Sequence, residues 1–145
     1  MRLLIDGDAC PDKVEIKKIA QDYNIEMIVY IDYAHVMEDD YYRVVECEIG
    51  KDSVDMQMIK DARSGDLVIT QDYGLASLLL CKNVKVLHVS GKEIHNGNVE
   101  ELLMSRYLSA QQRKKDKHLK GPSKRDQETR DYFLKQIEKI LKTAL

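Results

Sequence analysis

Short, continuously apolar runs recur along the chain, each followed by a stretch with helical spacing, and this alternation constrains the fold more than any other feature. The runs are residues 2–6, 25–31, 43–47, 67–70 and 84–89. Strands this short and this uniformly apolar are buried on both faces, as in a parallel sheet covered by helices. Between them, Val14, Ile16, Ile19, Ala20 and Tyr23 fit one face of a helix that Asn24 ends, with Pro11 suited to its first position. Val54, Met58, Ile59 and Ala62 give a second helix, stopped by Ser64-Gly65, and residues 75–81 a short apolar third. Ser90-Gly91 and Asn96-Gly97 mark turns around a small hairpin. Residues 99–113, with Asn98 as cap, and 126–141, with Phe133, Ile137, Ile140 and Leu141 on one side, close the chain as helices. The predicted fold is α/β and Rossmann-like: three α/β/α layers, a mostly parallel sheet, and a helical C-terminal extension over residues 98–145.

At 145 residues the chain makes one domain that buries roughly 70% of its unfolded surface without disulfides. Cys10, Cys47 and Cys81 are odd in number and widely spaced, against both a disulfide framework and a zinc site. No apolar stretch is long enough to span a bilayer and no basic-then-apolar leader is visible, so a cytoplasmic protein without a membrane partner is expected. Net charge is only −2 but is unevenly spread: residues 1–105 carry a balance of −9 and residues 106–145 one of +7. A basic C-terminal segment on an acidic body fits either a polyanionic partner or helices packed back on the sheet.

The runs end in acidic residues. Asp6-Gly7-Asp8 follows the first, Asp52-Ser53-Val54-Asp55 opens a helix, and Thr70-Gln71-Asp72 follows the fourth. In an open α/β sheet ligands bind beyond the carboxyl ends of the strands, so Asp6, Asp55 and Asp72 are expected to converge there. Carboxylates gathered at one place repel unless a cation lies between them, and Mg²⁺ or Mn²⁺ suits oxygen donors. Such a site serves phosphodiester hydrolysis. Asp8 and Asp52 have competing roles as helix caps, and Asp66, before its strand, reads as a turn residue at the opposite end. Cys10 sits where a helix N-terminus would lower a thiol's pKa, but no histidine base is placed near it by sequence. His88 reads as core.

These strings, with Ile5 and Ala9-Cys10-Pro11 around the first, Gly74-Leu75-Ala76 after the third, Arg106-Tyr107, Gly121-Pro122, Arg130 and Phe133, resemble the bacterial YaiI/YqxD family almost end to end. That family in turn resembles the PIN and NYN nucleases, Rossmann-like domains that hold Mg²⁺ or Mn²⁺ on strand-end aspartates. The resemblance implies a PIN-like domain in which Asp6, Asp55 and Asp72 hold the metal, Asp8 and Asp52 support them, and RNA or DNA is cut. Lys124-Arg125 and Thr129 depart from the family's usual residues. In such a nuclease Arg113, Lys114, Lys115, Lys117 and Lys120 would form a phosphate-binding arm, sequence-blind and salt-sensitive. Two alternatives stand beside this reading. One is a protein that binds nucleic acid without cutting it. The other is a haloacid-dehalogenase-like phosphatase, imitated by Asp6, Asp8 and Thr70 but lacking a well-placed lysine and later acidic pair. Oligomeric state is not readable from the residues.

Overall fold

A computed structural model of the protein describes residues 1–32, 37–48, 50, 52–115 and 125–144. Its elements run β1 (Arg2–Asp6), α1 (Lys13–Asp22), β2 (Glu26–Asp32), β3 (Arg43–Cys47), α2 (Ser53–Asp61), β4 (Leu67–Ile69), α3 (Tyr73–Leu80), β5 (Lys85–Leu87), β6 (Glu93–Ile94), α4 (Val99–Lys115) and α5 (Gln127–Ala144). The strands form one six-stranded sheet in the order β3-β2-β1-β4-β5-β6, parallel throughout except that β6 runs antiparallel to β5. That is the strand order of a Rossmann-like doubly wound sheet, and its direction of winding reverses between β1 and β4.

Strand alternation sorts the core into two layers. Leu3, Ile5, Met27, Val29, Leu67 and Ile69 point to one face and pack with Ile16, Ile19 and Ala20 of α1 and Phe133, Ile137 and Leu141 of α5. Leu4, Ile28, Tyr30 and Val68 point to the other and meet Met58 of α2, Leu75, Ala76 and Leu79 of α3, and Val99 of α4. Asn24, left-handed at φ 53°, closes α1, and the Ile25 N–H then reaches the Ala20 carbonyl at 2.9 Å.

Three expectations about helix starts are modified by the structure. Pro11 and Asp8 both lie outside α1, because the chain bends at Pro11 and the helix starts only at Lys13, with Asp12 in the cap position. Asp52, cap residue of α2, is left-handed at φ 70° and makes no capping hydrogen bond with its side chain. Asn98 likewise turns its side chain away from α4: its Oδ1 accepts the His95 N–H at 2.9 Å and its Nδ2 donates to the Glu93 carbonyl at 3.0 Å.

Candidate active site at the strand-order reversal

The register that pairs Ile5 with Ile69 carries the next residues, Asp6 and Thr70, side by side out of the sheet. Thr70 is fully buried and donates its hydroxyl to Asp6 Oδ2 at 3.1 Å, while its oxygen accepts the Asp72 N–H at 3.1 Å. One hydroxyl thus ties the ends of β1 and β4 together. Gly7 lies in a crowded place: a Cβ there would sit 2.7 Å from the Tyr30 carbonyl and 2.7 Å from Ile31 Cγ2. Its N–H donates to that same Tyr30 carbonyl at 2.8 Å. Glycine is needed for close approach to β2, not for a left-handed turn. The loop is held from the other side by Gln71, whose amide donates to the Ala9 carbonyl.

Asp72 serves two purposes. Its Oδ1 caps α3 by accepting the Leu75 N–H at 3.0 Å, and its carboxylate faces that of Asp55, in the first turn of α2, closely enough to favour the protonated form of Asp55. Like charges held this close disfavour ionisation of both groups. Burial, then Asp72, and then the negative fields of Asp6 and Asp52 push the Asp55 carboxyl up to about 7. Asp6 is also raised, first by its burial and then by Asp8 and Asp72, against the pull of Thr70 and Lys13.

The cleft above these groups has a volume of about 550 Å³ and is walled by Asp6, Ala9, Gln71, Asp72 and Tyr73 on the sheet side. Arg106 and Tyr107 of α4 line the far side. The Arg106 guanidinium also lies 5.8 Å from the Tyr73 ring centroid, and Tyr73 stacks on His88 at 5.5 Å. Burial, followed by the positive charge of Arg106, lowers the pKa of His88, which sits just past β5.

The expected residues are therefore distributed as follows. Asp6, Asp55 and Asp72 come together from β1, α2 and α3, with Asp8 and Asp52 close enough to act electrostatically on Asp6 and Asp55 respectively. Among the described residues, no three His, Cys, Asp or Glu side chains are gathered tightly enough for a ready-made metal cage. Arg113, Lys114 and Lys115 form the last turn of α4, beyond the cleft-lining Arg106 and Ala110. Lys117 and Lys120 lie outside the described residues. Asp66 is structural, as predicted: it pairs with Arg2 at 2.7 Å and accepts the Arg63 N–H at 2.9 Å at the opposite end of the central strands. The activated thiol is a correction. Cys10 is buried, and that burial pushes its pKa up to about 11.

Arg106, Tyr107, Gln71 and Tyr73 are wall residues that site-directed reading of the sequence missed. Arg106-Tyr107 stands out only as part of the family resemblance, because α4 mixes apolar and charged residues on both sides and gives no clean amphipathic pattern.

Fold and rim together define a Rossmann-like α/β protein with an acidic cleft at the reversal of strand order, walled on one side by a cationic helix. The chain belongs to the family described as "Uncharacterized BCR, YaiI/YqxD family", whose model matches residues 4–143. A UPF0178 protein of Clostridium kluyveri is 42% identical over 128 residues, covering 88% of this chain and 84% of the relative. One from Natranaerobius thermophilus is 35% identical over 147 residues, covering 99% and 100%. A third, from Bacillus cytotoxicus, is 39% identical over 140 residues, covering 97% and 92%. No solved structure matches the chain. Among the described residues no helix is long and apolar enough to cross a membrane.

Proposed function

We propose that the protein is a metal-dependent phosphodiesterase acting on RNA or DNA, a PIN-like nuclease. The observation that carries this reading is that Asp6 and Asp72 line one side of a cleft whose far side carries Arg106, with Asp55 close enough to feel the charge of both carboxylates. The donor set fits a hard divalent cation such as Mg²⁺ or Mn²⁺, since all the converging atoms are carboxylate oxygens. Mg²⁺ takes one or two carboxylates directly and keeps several waters. Asp55 and Asp72 would hold the ion, with Asp6 beside them and Asp8 and Asp52 adding negative potential. When bound, the ion supplies orientation of the attacking water and stabilisation of the leaving oxygen.

The remaining work falls to the chain's own residues. Asp6, held by the Thr70 hydroxyl, would accept a proton from water in the cleft. Arg106 faces the same space with a planar set of donors suited to a phosphate oxygen. Arg113, Lys114 and Lys115, continuing from the cleft wall, would follow the polyanion's backbone. The phosphatase alternative has less support, because the Thr70 hydroxyl it would use on phosphate is occupied by Asp6.

The test is a titration of Mn²⁺ and Mg²⁺ with labelled single- and double-stranded RNA and DNA, comparing wild type with Asp72→Asn. The expected result is metal-dependent cleavage that Asp72→Asn abolishes without loss of binding. Tight, salt-sensitive binding with no cleavage at any metal concentration favours a binding protein and sinks the nuclease. Turnover of small phosphomonoesters in place of polymers would revive the phosphatase.

A further inference from the structure

α4 is apolar on both sides. Val99, Leu102 and Leu103 pack inward against the core, with Val99 buried. On the outside, Met104 is 58% exposed, Tyr107 60% and Leu108 58%, spaced so that all three share one face. Charged residues flank this outer strip, but Met104 and Leu108 one turn apart leave a short apolar seam on the side away from the core. Elsewhere the exposed large apolar residues are scattered, as they are on most surfaces.

The charges on the same helix name the occupant. Its first turn is acidic, with Glu100 and Glu101, and its last turn is basic, with Arg113, Lys114 and Lys115. Glu101, Met104, Leu108, Gln111 and Lys115 are spaced three and four residues apart in turn, so they form one stripe along the outer face. A second α4 laid antiparallel on this stripe brings Met104 and Leu108 against the same pair of the partner. In that register Glu100 and Glu101 lie beside the partner's Gln112 and the partner's Gln111, about one helical turn or less from the partner's Lys114 and the partner's Lys115, within reach of those long side chains. A parallel arrangement would juxtapose like charges at both ends. Antiparallel self-pairing is isologous and closes as a two-fold dimer.

We infer that the outer face of α4 is the seam of a homodimer, formed by two antiparallel copies of this helix. The seam does not require the metal chemistry of the cleft, although its charged ends include Lys114 and Lys115 of the basic segment. Because Tyr107 borders both, pairing sets the mouth of each cleft beside the partner's helix. Backbone-binding residues of two subunits then lie along one continuous surface.

Sedimentation velocity on the full chain in the tens of micromolar range tests this. The wild type is expected to sediment at twice the 16.8 kDa chain mass. Leu108→Glu, which alters an exposed position, should raise the dimer dissociation constant by about 30-fold or more, as for a residue at the centre of a seam. Circular dichroism confirms that the variant is folded. The charge arm is independent of that variant: Glu100→Lys with Glu101→Lys should dissociate the dimer, and adding Lys114→Glu with Lys115→Glu should restore it. A wild-type monomer overturns the inference, as does a dimer indifferent to Leu108→Glu. Failure of the charge reversal to restore association overturns the antiparallel arrangement. Weaker RNA binding by Leu108→Glu in a protein that is always monomeric would assign the face to nucleic acid instead.

Discussion

Asp72→Asn separates the charge of the cleft from its scaffolding. An amide oxygen accepts the Leu75 N–H as the carboxylate does, so the cap on α3 is kept. What is lost is negative charge against Asp55, whose carboxyl stands at about 7 because of burial first and Asp72 second. A carboxyl with a raised folded pKa keeps a proton that the unfolded chain has already released. Stability from this group therefore falls as pH rises from about 4 to about 7, and stays lost above that. The whole rise corresponds to roughly 4 kcal/mol. Asp55 is only half-buried, so solvent screening reduces that figure, and burial rather than Asp72 is its leading cause. About 1–2 kcal/mol remains for the substitution to recover. Thermal unfolding with chelator present should thus show Asp72→Asn melting about 3–6 °C above wild type at pH 8, and within about 1 °C of it at pH 4. Equal melting temperatures at pH 8, or a less stable variant there, would refute the crowding of carboxylates on which the site rests.

Gly7→Ala drives a methyl into the Tyr30 carbonyl and Ile31, and should cost about 1–3 kcal/mol in urea denaturation while disabling the cleft, since Asp6 and Asp8 flank it. Asp66→Ala removes the carboxylate that pairs with Arg2 at the amino end of the central strands, leaving that guanidinium only the Asp61 carbonyl among the described residues. It should destabilise by about 3 kcal/mol and leave metal binding unchanged in the molecules that remain folded. Burial raises the Asp66 carboxyl, but hydrogen bonds from Arg2 and Arg63 outweigh it and hold the pKa low. Its contribution is therefore present above about pH 4 and is lost on acidification, so Asp66→Ala should narrow its stability gap to wild type in acid. Replacing Lys114, Lys115 and Lys117 by Ala should flatten the salt dependence of RNA binding by about 0.7 per lost single-strand phosphate contact, and an unchanged slope would remove the basic arm from the account.

The parts of the fold that were legible are those whose signal is local. β1 and β3 match their expected bounds because apolar runs of that length, bounded by turn residues, have few other uses. Asn24 marks the end of α1 because asparagine tolerates the left-handed conformation found there. β6 is two residues long and paired only through the turn at Ser90-Gly91, so it leaves a hairpin signal and no strand signal. α3 begins two residues before the expected position because Asp72 is a cap as well as a site residue, and one reading masked the other. The convergence of Asp6, Asp55 and Asp72 was readable because strand ends in a parallel sheet share a rim whatever the strand order. Arg106 was not, because its place opposite the carboxylates depends on how α4 crosses α3, which no local pattern encodes. The Cys10 thiol was misjudged for a related reason: its burial outweighs any helix terminus, and burial is set by the whole fold.

On the proposed function, a divalent ion displaces the proton that burial and the neighbouring Asp72 keep on Asp55. Isothermal titration of Mn²⁺ into the protein, repeated in buffers of different ionisation enthalpy, counts the protons released on binding. With Asp55 at about 7, binding should release roughly half a proton at pH 7, nearly one at pH 6 and almost none at pH 8.5, and Asp55→Asn should weaken binding and abolish the pH dependence. Absence of binding at millimolar Mn²⁺, or binding that releases no proton at any of these pH values, would contradict it.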